Sequence, residues 1–208
     1  LLIADEVVTG FGRLGTMFGS DFYGIEPDII TIAKGLTSAY APLSGVIVSD
    51  KVWQVLVKGS DQLGVIGHGW TYSSHPLCAA AGVANLELVD SLGLVDNARD
   101  VGAYFRAALA DAVGGNPIVG DVRGEGLLAA VQFSASRETF VTFAADLKVG
   151  VKVAAALAER GVIGRAMPGG DILGFAPPLC LSREEADIIV AATRGAIESV
   201  AAALPRKA

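Results

Sequence analysis

Two residues of this chain stand where their types could do chemistry together. Asp5 follows directly on the apolar run LLIA, and Lys34 closes a second apolar run within DIITIAKGLTSAYAP. In an open α/β sheet, ligands bind beyond the carboxyl ends of the strands, so both side chains are predicted to emerge on that rim. A lysine at the end of a buried strand is disfavoured as an ammonium unless it is paired, neutral or covalently bonded, and a neutral lysine attacks carbonyl carbon. Asp5 and Lys34 together have the chemistry of a pyridoxal phosphate site, where a lysine forms the Schiff base and a carboxylate faces the pyridinium nitrogen. Singly, each has an ordinary reading: Asp5 as a cap on the next turn, Lys34 as a side chain snorkelling to water.

The same stretch offers a rival. Residues 4–15, ADEVVTGFGRLG, set Gly10, Gly12 and Gly15 in a G-x-G-x-x-G pattern, with Glu26 and Asp28 near the offset of a ribose-binding acid. A dinucleotide turn needs a strand running straight into the first glycine and a long helix after the third. Here Asp5, Glu6 and Thr9 intervene before Gly10, and Gly19, Gly24 and Pro27 would fragment any long helix after Gly15. The glycines therefore read as a tight turn, and a nicotinamide-binding module is the weaker alternative. His68 and His75 lack further ligands nearby in sequence, so no metal site is predicted.

The elements that must position these residues read as α/β. LLIA (1–4), IITIA (29–33) and SGVIVS (44–49) are short apolar runs of the kind that fill a sheet covered on both faces. Helical patterns cover 51–58, 76–90 (with Pro76 at its start) and 95–113, and residues 59–74 read as a long glycine-bearing loop. From Asn116-Pro117 the texture changes: IVGDVRGEGLLAAVQF reads as an antiparallel hairpin, followed by a helix over 148–160, short strands near 162–165 and 171–175, and a last helix. Ser182 and Glu185 form the S-x-x-E capping box of that helix, and Pro205 is placed to halt it. A domain boundary is predicted near residue 115.

Composition limits the partners. With 208 residues, 52% of them hydrophobic, the chain can bury the core of one large or two small domains. Sixteen Lys and Arg against 22 Asp and Glu give a net charge of −6. No basic face remains for polyphosphate, so nucleic acid and anionic membranes are set aside. Mean hydropathy is +0.52, but charged residues and glycines interrupt every apolar stretch before it spans a bilayer. Cys78 and Cys180 fit neither a disulfide framework nor a metal spacing, and are predicted to be buried thiols of a cytoplasmic protein. The chain opens on Leu1 inside a predicted strand, with no targeting segment, and reads as the later part of a longer protein.

Four segments in order, LLIADEVVTGFGRLG, DIITIAKGLTSAYAPLSG, GHGWTYSSHP and GRAMPGGDILGFAPPLCLS, resemble the class III aminotransferases of fold type I, and more narrowly their omega-amine:pyruvate branch. The resemblance implies that residues 1–115 are the C-terminal portion of a cofactor-binding large domain with a mostly parallel sheet, and 116–208 an α+β C-terminal small domain. It implies pyridoxal 5′-phosphate as cofactor, with Lys34 as the Schiff-base lysine and proton carrier and Asp5 as the pyridinium partner. Val7 resembles the residue packed on one ring face, and Thr71 the threonine that binds the cofactor phosphate of the neighbouring subunit, helped by the Trp70 amide. Arg165 matches the arginine that pairs with a substrate carboxylate.

An amine donor, a 2-oxo acid acceptor such as pyruvate, and a homodimer with a shared active site are implied by the same likeness. Such enzymes also possess an N-terminal half with a phosphate loop and a second ring-stacking residue, so this chain is expected not to turn over unaided. Fold type I racemases, mutases and decarboxylases remain alternatives, as does a noncatalytic fragment that only dimerises.

Overall fold

The computed structural model describes residues 1–65, 69, 71–139 and 141–204. The chain divides into two compact units, Leu1–Asp96 and Asn97–Ala208.

In the first unit the three apolar runs form the expected strands, β1 (Ile3–Asp5), β2 (Ile29–Ile32) and β3 (Gly45–Val48), in that spatial order. β1 and β2 run parallel with Asp5 opposite Thr31, whereas β3 returns antiparallel to β2. Between β1 and β2 lies one five-residue helix, α1 (Gly19–Tyr23), closed by Gly24 in the left-handed conformation. Helix α2 (Asp50–Leu63) runs further than its sequence pattern indicates. Gly59 sits within it with open space where a Cβ would stand, and an exposed helix absorbs a glycine for about 1 kcal/mol. Helix α3 (Pro76–Ser91) begins with Pro76 in its first turn, where the missing N–H is harmless.

A sheet covered on both faces is not what this unit supplies. Ile3 is 59% exposed, Val46 59% and Ile47 46%. The large apolar side chains buried here, among the described residues, are Phe11, Leu14, Leu36 and Val89. Three of these four belong to the turns after β1 and β2, so the unit's own core lies beneath the strand ends.

The second unit is conventionally cored. Helix α4 (Leu94–Val113), which crosses the division between the units, buries Ala98, Val101, Phe105, Leu109 and Val113 at helical spacing. They pack with an antiparallel sheet of order β4-β5-β7-β6, built from Val119–Glu125, Leu128–Phe133, Ile172–Phe175 and Arg165–Ala166 respectively. β4 and β5 form the predicted hairpin. α5 (Val149–Ala158) and α6 (Arg183–Ala203) complete the core with Val153, Leu157, Ala196 and Ile197.

The capping box of α6 forms as read: Glu185 N donates to Ser182 Oγ at 3.1 Å, and Ser182 N to Glu185 Oε2 at 2.8 Å. Pro205 lies outside the described residues. The expectation of buried thiols is corrected, because Cys180 is exposed in a turn after two prolines and Cys78 is half-buried. No single helix among the described residues is long and apolar enough to cross a membrane.

Candidate functional site

β1 ends on Asp5. The ladder that sets Asp5 opposite Thr31 also brings the Thr31 hydroxyl to Asp5 Oδ1 at 3.2 Å, and Val7 N donates to the same oxygen at 3.1 Å. These two donors orient the carboxylate at the carboxyl end of its strand. Lys34 lies three residues beyond Thr31 and two past the end of β2. It opens a single 3-10 turn, Lys34–Leu36, with φ of +40°. A left-handed residue with a side chain costs roughly 1–2 kcal/mol and persists only where its surroundings hold it.

Those surroundings are well defined. Leu36 and Thr37 are buried, Leu36 N bonds Ala33 O at 3.0 Å, and the Thr37 hydroxyl donates to Ala41 O at 2.7 Å. Below them lies the glycine turn. A Cβ on Gly35 would stand 3.2 Å from both Gly10 O and Phe11 Cβ, so the two turns approach as closely as bare backbone permits. Phe11 is buried there, edge-on to Phe18 at 5.6 Å between ring centroids.

The glycine turn is thus a floor for Lys34 and not a dinucleotide cradle. Gly10 N bonds Glu6 O at 2.9 Å, Gly12 N bonds Met17 O at 3.2 Å, and Gly15 N bonds Gly12 O at 2.9 Å, so these amides are engaged with carbonyls. The next helix, α1, has only five residues, too short to present the N-terminus that a pyrophosphate requires. Asp28 accepts from Leu2 N at 2.8 Å and Lys51 Nζ at 2.9 Å.

Glu6 is 2% exposed and ties this floor together. Its carboxylate accepts from Gly19 N at 2.8 Å, Ser20 N at 2.6 Å and the Thr9 hydroxyl. Burial by itself would raise its pKa, but the bonds from Thr9, Ser20 and Gly19 outweigh burial and hold it below the ordinary carboxylate value.

The remaining candidates are more dispersed. Val7 is half-buried and lies past the end of β1 in the turn, so strand alternation does not determine the face it presents. Thr71 is exposed in the turn before α3, while Trp70 and His68 lie outside the described residues. Arg165 opens β6 in the second unit, opposite Gly174 of β7, and is exposed. His75 is exposed at the N-cap of α3, and among the described residues no three His, Cys, Asp or Glu gather as metal ligands. Asp5 and Lys34, then, share one rim of one sheet. Both are exposed in this chain, contrary to the buried setting expected for Lys34.

Asn85 escaped the sequence reading. From α3 its Nδ2 donates to Gly35 O at 2.8 Å and Leu36 O at 3.2 Å, while its Oδ1 accepts from the Ser38 hydroxyl at 2.6 Å. The available signal was one amide in the stretch AAAGVANLELV, where Glu87 is the one other polar residue.

The model of a family described as aminotransferase class-III matches residues 1–197. The chain belongs to this family. Class-III aminotransferases depend on pyridoxal 5′-phosphate. Among relatives, this class-III chain is 56% identical over 207 residues to a diaminobutyrate–2-oxoglutarate transaminase of Halomonas elongata, a match covering 100% of this chain and 44% of that protein. It is 38% identical over 190 residues to a probable gamma-aminobutyrate transaminase of Oryza sativa subsp. japonica, covering 91% of this chain and 39% of that one. A solved structure from the directed evolution of transaminases by ancestral reconstruction superposes with a TM-score of 0.97 at 58% identity, covering 99% of this chain and 45% of the other. A thermostable (S)-enantioselective omega-transaminase from Thermomicrobium roseum gives 0.90 at 42% identity, covering 96% and 43%. The fold is therefore that of the fold type I transaminases, and the chain spans less than half the length of these relatives.

Proposed function

We propose that this chain carries the lysine and the ring-binding acid of an aminotransferase that moves an amino group from an amine or omega-amino acid to a 2-oxo acid such as pyruvate. One arrangement carries the proposal: Asp5 ends β1 opposite Thr31 of the parallel strand β2, and Lys34 follows two residues past the end of β2, so both stand at the same carboxyl rim. A carboxylate and an amine on one rim suit an aromatic heterocycle gripped at opposite ends. Pyridoxal 5′-phosphate, when bound, supplies an aldehyde for the lysine and a ring that accepts the electrons left by a departing proton.

The residues divide the work accordingly. Asp5, oriented by Thr31 and Val7 N, would hold the ring nitrogen and favour its protonated form. Lys34 Nζ would anchor the cofactor and, as a free amine, would accept the proton from the substrate carbon that bears the nitrogen. Val7 would pack against the ring. Thr71, with the Trp70 amide, binds the phosphate of a partner subunit in a homodimer, and Arg165 pairs with the carboxylate of the 2-oxo acid. Residues 1–115 serve as the C-terminal portion of the cofactor-binding domain and 116–208 as the small domain.

The exposure of Asp5 and Lys34 argues that the 208 residues alone do not turn over, since this chemistry needs water excluded from the lysine. The full protein is expected to convert an amine and pyruvate to alanine. After borohydride reduction of its cofactor complex, peptide mapping is expected to find the pyridoxyl group on Lys34. A pyridoxyl group on a different lysine overturns the site; racemised or decarboxylated product without alanine overturns the reaction.

A further inference from the structure

Asn85 contributes nothing to the chemistry proposed above, yet it makes three hydrogen bonds to the segment that carries Lys34. We infer that Asn85 is a positioning residue: its amide holds the turn after β2 in the left-handed shape that aims Lys34. The inference rests on Lys34 being the cofactor lysine.

Three observations support it. Gly82, Asn85 and Val89 lie on one face of α3 at spacings of three and four residues, and Gly82 and Val89 are buried, so Asn85 is on the packed side of the helix. A Cβ on Gly82 would stand 3.1 Å from Leu43 Cδ2 and 3.8 Å from Leu36 O, which shows how close α3 comes to the turn. The bonds themselves fall on successive parts of it, with Nδ2 reaching the carbonyls of Gly35 and Leu36 and Oδ1 reaching the Ser38 hydroxyl.

Lys34 and Ser38 both have positive φ, +40° and +47°, conformations that a side chain disfavours unless something external fixes them. The hydrogen bonds within the turn, Leu36 N to Ala33 O and Thr37 N to Lys34 O, leave the carbonyls of Gly35 and Leu36 to Asn85. An asparagine is a poor helix former, and these contacts explain its place within α3.

The test uses the full protein that carries these residues, exposed to pyridoxal 5′-phosphate, reduced with borohydride and mapped by peptide mass spectrometry. The readout is the share of pyridoxyl group on Lys34 relative to Lys51 and Lys58 of the same molecules, taken at a temperature where circular dichroism shows each variant fully folded, so that a general loss of stability does not enter it. In Asn85→Leu the Lys34 share is expected to fall about tenfold, the scale of a small misplacement of a reacting group, while Glu87→Ala, an exposed change on α3, leaves it unaltered.

An unchanged share in Asn85→Leu overturns the inference. Should that variant fail to fold, Ser38→Ala removes one bond of the clasp and is expected to lower the share roughly two- to threefold; an unchanged share there overturns the inference as well. A wild-type protein with no preference for Lys34 defeats the cofactor reading instead. Amide hydrogen exchange at Leu36 and Thr37 needs no cofactor and then decides: faster exchange in Asn85→Leu supports the clasp, and unchanged protection overturns it.

Discussion

Glu6 shows how a single buried carboxylate can shape the ground beneath a site. Its folded-state pKa lies below the ordinary 4.5, so its stabilising contribution is present above that value and is lost as pH falls through the folded value. Glu6→Gln keeps the shape but weakens the bonds from Gly19, Ser20 and Thr9, and is expected to destabilise the first unit by about 1–3 kcal/mol at pH 7. The loss should shrink toward pH 3. Urea titrations followed by tryptophan fluorescence can read this, because both tryptophans, Trp53 and Trp70, fall within the first unit. An equal loss at both pH values would mean that the charge of Glu6 is not what matters. At this scale the sequence singled out Asp5 and Lys34 as candidates through position after an apolar run, but not Asn85, whose partners are 47 to 50 residues away.

At the scale of elements, two close fits in the second unit invite tests. Ser182→Ala removes the acceptor of the Glu185 amide at the start of α6 and is expected to cost about 1 kcal/mol, seen as a lower thermal midpoint. Gly102 of α4 faces the backbone of Gly126, and a Cβ there would stand 2.2 Å from Gly126 O. Gly102→Ala therefore forces helix and hairpin apart and is expected to destabilise by roughly 1–3 kcal/mol, more than any propensity gain from alanine returns. A thermal midpoint equal to that of the parent chain would show that the hairpin turn yields freely. The capping box was legible because it is a local pattern. The approach of Gly102 to Gly126 was not, since nothing nearby in sequence marks which glycine meets another backbone.

Across the whole molecule, apolar surface is distributed unequally. The second unit buries Phe105, Leu109, Phe133, Leu157, Leu173 and Ile197 almost completely, whereas the first leaves Leu1, Tyr40, Trp53, Val55 and Val83 more than half exposed. At about 25 cal/mol per Å² of apolar area, that difference favours the second unit as the self-sufficient one. Residues 97–208 made alone are expected to unfold cooperatively on heating, and residues 1–96 made alone to bind a hydrophobic dye and melt without a sharp transition. Sharp, dye-free melting of residues 1–96 would contradict this reading of the exposed faces.

The sequence alone determined the presence and order of the strands, the hairpin, the α6 cap and the family, and it singled out Asp5 and Lys34 as candidates, since each rests on local order and residue type. Tertiary structure decided what the glycines do: a G-x-G-x-x-G string looks the same whether its amides meet a phosphate or carbonyls of its own chain, and only the folded backbone shows them bonded to Glu6, Met17 and Gly12. It also decided that Lys34 stands exposed above a packed floor, because burial depends on which distant segments cover a residue. Short-range pattern specifies the element, and long-range packing specifies what surrounds it.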